Sequence, residues 1–270
     1  MRNVTGHSDE KLAKVANALR NKDVLVAFSG GVDSSVLASI ALEVGRRVVL
    51  LTIVSEVVPA EERERAKAIA RELGGKHIIV DFDWLEEENL RKNPPERCYN
   101  CKALLATLWK KKAEELGIDL VVEGTTATET QGHRPGLRAL RETGVSSPFL
   151  DAGVMKSDVR SYARSKGLSM AEAPSMACLA TRFPYGTTIT TELLRKIEVI
   201  ESMARKIFGV ECVRARLHDE LIRIEVGQDE MNRLFDIKGL EQLDRFVKSQ
   251  GFRYAALDLG GYRTGSMDET

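Results

Sequence analysis

The sequence lacks a long apolar run, an excess of charge and a large set of cysteines. No apolar stretch in its 270 residues approaches the length that spans a bilayer, and residues 1–10 lack the apolar core of a signal peptide. Lysine plus arginine and aspartate plus glutamate each number 40, so the formal net charge is zero. Proteins that coat nucleic acid rely on an excess of basic side chains, so this balance argues against nucleic acid as the partner. We therefore expect a cytoplasmic protein without a membrane segment.

The first half of the chain alternates apolar β-branched runs with amphipathic helical stretches. The pattern predicts strands at 24–28, 47–54, 77–80 and 119–122, and helices at 34–44, 59–73 and 101–116. This rhythm is typical of an α/β fold, a parallel sheet with helices on both faces. Binding sites in such folds gather at the carboxyl ends of the strands, where Phe28-Ser29-Gly30 and Glu123-Gly124-Thr125 lie.

The pattern changes after a predicted helix at 156–166 and a loop at 174–188 that is rich in Pro, Gly and Thr. Beyond the loop we predict a helix at 192–208, strands at 211–218, 221–226 and 252–259, and one or two helices within 228–250. This is the pattern of a small α+β module. The predicted domains are 1–187 and 188–270.

Residues 29–35, Ser-Gly-Gly-Val-Asp-Ser-Ser, follow a buried strand and open a helix. Backbone N–H groups and the helix dipole then point at one spot, which favours anionic oxygens. The loop lacks the lysine of a Walker motif, which serves the β- and γ-phosphates. A loop without it suits a pyrophosphate leaving group and chemistry at the α-phosphate, with Asp33 holding Mg²⁺. The alternative is a glycine-rich turn that only connects strand to helix.

We expect the nucleotide site to extend beyond this loop. The predicted ATP-binding residues are Ser29, Gly30, Gly31, Asp33, Ser34, Ser35, Thr52 and Gly124. Asp33 is also predicted to act in catalysis.

Cys98 and Cys101 form Cys-Tyr-Asn-Cys, a spacing at which two thiolates can share a metal ion or one face of a cluster. The alternative is a pair of small buried residues at a helix start. Four cysteines in a reducing compartment do not make a disulfide framework. Cys212 opens a predicted strand and is interpreted as an inert thiol.

Cys178 lies in the loop between the predicted domains, and Arg182 close by in sequence favours its thiolate. A reactive or ligating role is therefore favoured over that of an inert buried thiol. Three cysteine ligands without a fourth fit a 4Fe–4S cluster with one open iron. A zinc ion completed by His133 is the alternative.

The predicted strand at 211–218 places Arg214 and Arg216 on one face, because side chains of a strand alternate. Two guanidinium groups so placed suit the bidentate capture of a phosphate. The pattern alone favours the solvated outer face of an antiparallel sheet. Glu192, Glu201 and Glu225 are either surface charges or part of a divalent-metal site.

The segment Ser-Gly-Gly-Val-Asp-Ser resembles the signature of the PP-loop ATP pyrophosphatases, which include GMP synthetase, NAD synthetase, argininosuccinate synthetase and tRNA-thiolating enzymes. Members of that superfamily activate their substrates as adenylates. The resemblance implies an adenine nucleotide alpha hydrolase-like fold.

Over nearly its whole length the chain resembles the LarE family, the ATP-dependent sulfur transferases of nickel-pincer nucleotide biosynthesis. The segments that carry the resemblance are 29–34, 93–102, 134–140, 177–186 and 261–267. It implies that ATP adenylates a carboxylate of pyridinium-3,5-biscarboxylic acid mononucleotide and that sulfur then displaces AMP. It also favours phosphate binding by Arg214 and Arg216, with Arg182 added to the same site.

One kind of LarE protein sacrifices the cysteine at the position of Cys178, which becomes dehydroalanine. Another kind holds a 4Fe–4S cluster with three cysteines, and the open iron carries the sulfide. Because Cys98, Cys101 and Cys178 are all present, the chain resembles the cluster kind. Cys178 is then both a metal ligand and a catalytic residue, a sulfur donor outside the chain reloads the cluster, and a homo-oligomer is expected.

Three other functions remain as alternatives. A tRNA thiolase also joins a PP-loop to a three-cysteine cluster, although the neutral charge opposes it. A cluster-dependent desulfidase would work without ATP. A non-catalytic redox sensor would bind ATP without forming AMP.

Overall fold

The computed structural model describes residues 4–130, 135–173, 178–263 and 265–267. By the contacts within it, the chain divides into two compact units. The first comprises Met1–Ser55, Ala60–Phe82 and Glu96–Met176, and the second comprises Glu56–Pro59, Asp83–Pro95 and Ala177–Thr270. The division predicted from the sequence, 1–187 and 188–270, stays a prediction.

The first unit is a parallel sheet with helices around it. Its strands are β1 (Asp23–Ala27), β2 (Arg47–Val54), β3 (Lys76–Asp81) and β4 (Leu120–Val122). Its longer helices are α1 (Val4–Leu19), α2 (Val32–Val44), α3 (Ala60–Leu73), α4 (Arg97–Glu115), α5 (Pro135–Thr143) and α6 (Lys156–Ser165). Every neighbouring pair of strands is parallel, in the order β3-β2-β1-β4. The predicted α/β fold class is confirmed.

Both faces of this sheet are buried, because successive side chains of a strand point to opposite sides. On β1, Val24 and Val26 pack with apolar side chains of α1, α2 and α6. Leu25 and Ala27 pack instead with those of α4 and α5. A strand covered on both sides reads as a continuous apolar run, which is why β1 is recognisable from the sequence.

The second unit contains a mixed sheet beside helices, as the predicted α+β module requires. Its main elements are α7 (Thr191–Phe208), β5 (Val213–His218), β6 (Leu221–Val226), α8 (Ile237–Ser249) and β7 (Tyr254–Leu257). β5 pairs antiparallel with β6, and β6 pairs parallel with β7. Asp219, with φ of 51°, makes the tight turn between β5 and β6.

Several predicted element boundaries are wrong, among them those of β5, β7 and α4. β5 begins at Val213 rather than at residue 211, because the N–H groups of Glu211 and Cys212 donate to the Glu230 carboxylate at 2.9 Å each. α4 begins at Arg97 rather than at residue 101, so the Cys-x-x-Cys pair lies inside the helix. Among the described residues, no helix combines the length and the apolar character that crossing a membrane requires.

Candidate functional site

The loop between β1 and α2 is held in shape by its own serines. The Ser34 hydroxyl donates to the Gly31 carbonyl at 3.1 Å, and it accepts from the Ser29 N–H at 3.2 Å. The Gly31 N–H donates to the Ser29 hydroxyl oxygen at 3.3 Å. These bonds fold the loop tightly over the first turn of α2, so its backbone is already arranged before any ligand arrives.

The start of α2 offers backbone donors to a ligand. Its N-cap residue, Gly31, makes no side-chain cap, and the Ser35 N–H is the one that bonds back to the Gly31 carbonyl, at 3.0 Å. The N–H groups of the residues between them have no acceptor within a helix. They also carry the positive end of the helix dipole. The arrangement is that of an anion site for phosphate oxygens.

Two glycines bring neighbouring elements against this loop. Gly30 has φ of +76°, and a Cβ placed there would lie 2.6 Å from the Ala66 Cα on α3. A Cβ on Gly124, just after β4, would lie 3.0 Å from the Ser34 nitrogen. The predicted glycines therefore allow close approach of backbones at the carboxyl ends of β1 and β4.

Gly30→Ala is expected to lower the free energy of unfolding by about 3 kcal/mol, from the left-handed backbone plus the clash with Ala66. It is also expected to weaken ATP binding at least about tenfold, because the loop must shift. Gly74→Ala is the matched control, since φ there is +70° and a Cβ meets nothing within 4 Å. Urea unfolding and calorimetric titration measure both effects. Equal losses in the two variants would show that close approach at Gly30 has no role.

Three buried oxygens at this edge of the sheet lack a hydrogen-bond partner among the described residues. They are Asp33 Oδ1, Ser35 Oγ and Thr126 Oγ1. Ser35 and Thr126 are completely buried. Buried polar groups are normally satisfied, and leaving one unsatisfied costs about 1–3 kcal/mol. The chemistry of this donor set, a carboxylate beside hydroxyls and helix N–H groups, fits a nucleotide phosphate with Mg²⁺.

The structure adds Lys156 to this edge, a residue that the sequence analysis missed. It is the first residue of α6, and its ammonium group forms an ion pair with Asp33 Oδ2. A usable signal was present in the sequence. A lysine in the first turn of a helix opposes the helix dipole, so its presence there indicates a nearby anion.

Thr52 lies on β2, and its hydroxyl is engaged inside the first unit. It donates to the Phe28 carbonyl at 2.7 Å and lies 2.8 Å from His77 Nε2. Because the single hydroxyl proton points at Phe28, Nε2 of His77 must be the donor in the second bond. Burial, together with the charge of Lys67, lowers the pKa of His77. Thr52 therefore braces the start of the loop.

Glu123 fixes the turn that follows β4. Its buried carboxylate accepts from the Thr125 N–H at 3.1 Å, from the Thr125 hydroxyl at 2.6 Å and from the Ser147 hydroxyl at 2.5 Å. Three hydrogen bonds fix the position of this carboxylate. The turn that carries Gly124 is thus rigid.

Cys98 and Cys101 lie in the first turns of α4, one exposed and the other half-buried. The Arg97 guanidinium donates to the Cys98 sulfur at 3.5 Å. Among the residues that the structure describes, no group of three His, Cys, Asp or Glu side chains could hold a metal ion. His133, the alternative zinc ligand, lies outside the described residues. The helix therefore presents two thiols, and a cluster with three cysteine ligands would need its third ligand from elsewhere in the chain.

Cys178, in the second unit, precedes a short 3₁₀ helix, Leu179–Arg182, within the stretch predicted to be a loop. Its side chain is exposed. Its carbonyl accepts from the Thr181 hydroxyl at 2.8 Å and from Arg182 Nη1 at 3.2 Å. Cys212 differs, since burial raises the pKa of its thiol and so disfavours reaction.

Arg182 is buried against a carboxylate. Its Nε and Nη2 donate to the two oxygens of Glu201 at 2.7 and 3.2 Å. Glu201 also accepts from the Ala215 N–H on β5 at 3.0 Å. The bidentate pair ties the 3₁₀ helix to α7 and β5, so the segment after Cys178 is anchored by charge.

Arg216 forms the second buried pair, with Glu225 on β6. Its Nε and Nη2 donate to Glu225 Oε2 at 3.1 and 2.9 Å, and its Nη1 donates to the Thr181 carbonyl at 2.8 Å. The other oxygen of Glu225 accepts from Arg223 and from the Ser266 hydroxyl. A completely buried carboxylate thus joins β5, β6 and the segment near the carboxyl terminus.

Arg214, on the same face of β5, stacks on Tyr262 with its guanidinium carbon 5.1 Å from the ring centre. Burial and the nearby charge of Arg182 lower the pKa of Arg214. Since Arg214 and Arg216 are 7% and 4% exposed, a solvated outer face is the wrong interpretation of the alternation. Arg182, Arg214 and Arg216 form what we call the arginine cluster.

The structure distinguishes the three glutamates whose roles the sequence left undecided. Glu192 is an exposed partner of Lys196 on α7. Glu201 and Glu225 are buried partners of the arginine cluster. Surface charge is the correct interpretation of Glu192 alone.

Comparison with known proteins identifies the family to which the chain belongs. A family model described as queuosine biosynthesis protein QueC matches residues 23–92. The pyridinium-3,5-bisthiocarboxylic acid mononucleotide synthase of Lactiplantibacillus plantarum is 33% identical over 263 residues, which cover 96% of this chain and 94% of that protein. An uncharacterised protein of Synechocystis sp. is 35% identical over 245 residues, 90% and 91% of the two chains. A tRNA-specific 2-thiouridylase of Rickettsia bellii is 26% identical, with 77% of this chain and 66% of that protein covered.

The match of residues 23–92 spans β1, α2, β2, α3 and β3 together with residues 29–35, which we call the phosphate loop. This part of the sheet builds the anion site. The match to the synthase spans both units. With a PP-loop on a parallel sheet and a synthase relative at 33% identity over nearly the full length of both proteins, this chain belongs to the LarE family of ATP-dependent, adenylating sulfurtransferases.

Proposed function

We propose that this enzyme adenylates a carboxylate of pyridinium-3,5-biscarboxylic acid mononucleotide and replaces AMP with sulfur. The observation that carries the proposal is the lysine-free phosphate loop with unsatisfied donors and a carboxylate at the start of α2. The relative from L. plantarum is named for the bisthiocarboxylic product. A nucleotide that bears carboxylates is the substrate that an adenylating site followed by sulfur transfer requires.

In the first step a substrate carboxylate oxygen attacks the α-phosphorus of ATP, and the bond from that phosphorus to the bridging oxygen breaks. Pyrophosphate leaves with the electron pair. In the second step a hydrosulfide or thiolate sulfur attacks the carboxyl carbon, and AMP leaves as the carbon–oxygen bond breaks. When the nucleophile is hydrosulfide, the product is a thiocarboxylate and one proton is released. When the nucleophile is a cysteine thiolate, the first product is a thioester, and the thiocarboxylate leaves only when the Cα proton of that cysteine is removed and its Cβ–Sγ bond breaks, which leaves dehydroalanine.

The phosphate loop would bind the ATP phosphates through the N–H groups at the start of α2 and through Ser29, Gly30 and Gly31. Asp33 Oδ1 and the Ser35 hydroxyl, which lack a partner among the described residues, would contact Mg²⁺ and phosphate oxygens. The Ser34 hydroxyl, bonded within the loop, would act by keeping the loop in shape. Gly124 would allow the turn after β4 to lie against the start of α2, and Thr52 would brace the loop through its hydrogen bond to the Phe28 carbonyl. The residues fit Mg²⁺, which would neutralise charge that develops on the leaving pyrophosphate.

The arginine cluster would bind the phosphate of the mononucleotide. In this buried network Arg182 pairs with Glu201 and Arg216 pairs with Glu225, while Arg214 lies over the Tyr262 ring. In a buried site the attraction between a guanidinium group and a phosphate is stronger than it would be in water. Arg182 and Arg216 are oriented by their glutamates, whereas Arg214 is oriented by the Tyr262 ring.

For the sulfur we propose a 4Fe–4S cluster held by Cys98, Cys101 and Cys178. The first two cysteines lie one turn apart at the accessible start of α4, and Cys178 is exposed in the second unit. When bound, such a cluster supplies an open iron that carries hydrosulfide. The role of this chain is to present the three sulfur ligands, and Arg97 positions one of them through its hydrogen bond to Cys98.

The acceptor is tested by supplying ATP, Mg²⁺ and sulfide with either the biscarboxylate mononucleotide or unmodified tRNA and measuring AMP and pyrophosphate. We expect AMP to form with the mononucleotide and not with tRNA, in keeping with the zero net charge of the chain. AMP that forms only with tRNA would establish the thiolase alternative instead. ATP binding without AMP under either condition would favour the redox sensor.

A further inference from the structure

We infer that Tyr262 is a positioning residue that sets the preference of the enzyme for a substrate with a phosphate, because it holds the guanidinium of Arg214. The inference rests on the proposed binding of the mononucleotide phosphate by the arginine cluster. Its starting observation is that the Arg214 guanidinium carbon lies 5.1 Å from the centre of the Tyr262 ring. Tyr262 belongs to the segment 261–267, which carries part of the resemblance to the LarE family.

The backbone of Tyr262 is fixed against the second sheet. Just beyond the last residue of β7, the Asp258 N–H donates to the Ile224 carbonyl at 2.9 Å. The Tyr262 N–H then donates to the Val226 carbonyl at 2.8 Å. These two bonds continue the pairing of β7 with β6. The sheet itself therefore places the Tyr262 ring.

The turn between these two bonds depends on a glycine. Gly261 has φ of +66°, and a Cβ placed there would lie 2.9 Å from the Val226 carbonyl oxygen. Its N–H donates to the Asp258 carbonyl at 3.1 Å. The left-handed backbone and the close approach both require glycine at this position. The turn thus brings Tyr262 back against the end of β6.

The same segment is tied to the arginine cluster a second time, at Ser266. Ser266 is buried, and its hydroxyl donates to Glu225 Oε1 at 2.5 Å. The other oxygen of Glu225 accepts from Arg216. The segment that carries Tyr262 is therefore held at two points, and its ring has a defined position beside Arg214.

An aromatic ring suits Arg214 because it orients the cation without neutralising it. Arg214 is the register partner of Glu225 across β5 and β6. The two oxygens of that carboxylate accept from other side chains, namely Arg216, Arg223 and Ser266. A carboxylate would cancel the charge of a guanidinium, whereas a ring attracts the cation through its electron-rich face and adds no negative charge. A guanidinium held in this way can still donate to a phosphate.

The loss of the ring should therefore act on phosphate recognition. An arginine side chain is long, and orienting it before the ligand arrives reduces the entropy that binding costs. A substrate without the phosphate gains nothing from that orientation. Tyr262 should thus help to distinguish the mononucleotide from its nucleoside, in which a hydroxyl replaces the phosphate.

The test compares Tyr262→Leu, which removes the ring, with Tyr262→Phe, which keeps it. Tyr254→Leu is the matched control, because the ring of the exposed Tyr254 lies 5.5 Å from the Arg253 guanidinium carbon in a similar pair. Urea unfolding shows whether each variant keeps its fold. If Tyr262→Leu does not fold, Tyr262→Gln repeats the comparison without a ring.

Two readouts are taken with the biscarboxylate mononucleotide and with the nucleoside obtained by removing its phosphate. The first is binding of each compound by calorimetry in the absence of ATP. The second is AMP formation in the presence of ATP, Mg²⁺ and sulfide. Because the first readout needs no reaction, it separates the role of Tyr262 from the proposed adenylation.

For Tyr262→Leu we expect Kd and KM for the mononucleotide to rise about tenfold, with kcat changed by less than about twofold, because the lost contact acts on binding. The Kd for the nucleoside should change by less than about twofold. Tyr262→Phe and Tyr254→Leu should stay within about threefold of the wild-type enzyme for both compounds.

Equal losses of affinity for the two compounds, or an unchanged Kd for the mononucleotide in Tyr262→Leu, would overturn the inference alone. A wild-type protein that binds the two compounds equally well would overturn phosphate binding by the arginine cluster and the inference together. If no AMP forms although binding follows the expected pattern, the proposed adenylation fails and the role of Tyr262 holds.

Discussion

Asp33→Asn is expected to lower the rate of AMP formation by about 10³-fold, because the amide cannot replace a carboxylate as an Mg²⁺ ligand next to the transferring phosphate. Asp33 stands in the first turn of α2, with one oxygen held by Lys156 and the other buried without a partner among the described residues. The substitution keeps the shape of the side chain, so the fold should persist. The rate is measured in a single turnover as the release of pyrophosphate and AMP, with saturating ATP and Mg²⁺ and with sulfide and the biscarboxylate mononucleotide present.

Glu43→Gln is the control for this substitution, since Glu43 lies in the last turn of the same helix and pairs with Lys166. It should leave AMP formation unchanged. An Asp33→Asn enzyme that still forms AMP at the wild-type rate would remove Asp33 from the metal site. In that case a metal ion would not account for the lack of a hydrogen-bond partner at Asp33 Oδ1 among the described residues.

Glu225→Ala is expected to lower the free energy of unfolding of the second unit by about 3–5 kcal/mol. The carboxylate is completely buried and accepts from Arg216, Arg223 and Ser266. Removing one partner of a buried pair leaves an uncompensated charge, and that cost exceeds the value of the pair itself.

Tryptophan fluorescence can follow the unfolding of the second unit separately from that of the first. Trp84 lies in the second unit and Trp109 in the first, so a Trp109→Phe background leaves a reporter in the second unit. Urea unfolding of Glu225→Ala in that background is compared with Glu192→Ala, which breaks an exposed pair and should change the free energy by less than about 0.5 kcal/mol. Equal unfolding midpoints in the two variants would contradict a structural role for the buried pair.

The first unit is predictable because its local signals agree. Buried parallel strands such as β1 read as unbroken apolar runs, and the Gly-Gly turn that follows β1 marks the anion site through its residue types alone. Helix α1 is absent from the predicted elements although Leu12, Val15 and Leu19 are spaced as one buried helical face. The polar residues around these three side chains obscure the helical periodicity of the apolar residues.

The pairings of the site cannot be predicted from the sequence, because they join residues far apart in the chain. Lys156 meets Asp33 only when α6 packs near α2, and the partner of Arg216 depends on the register of β5 against β6. Period-2 alternation shows which side chains share a face, but it does not tell whether that face is solvated or buried. For Arg214 and Arg216 the resemblance to the LarE family, rather than the pattern, favoured an internal role.

The measurement that tests the central claim most directly is mass spectrometry of the nucleotide and of Cys178 after one reaction. Anaerobically purified protein with its cluster rebuilt is given ATP, Mg²⁺, sulfide and the biscarboxylate mononucleotide. The account predicts one AMP for each thiocarboxylate over several turnovers, with Cys178 intact. A single turnover that leaves dehydroalanine at 178 would show that Cys178, and not the cluster, supplies the sulfur. Nucleotide that gains no sulfur while AMP fails to appear would contradict the account.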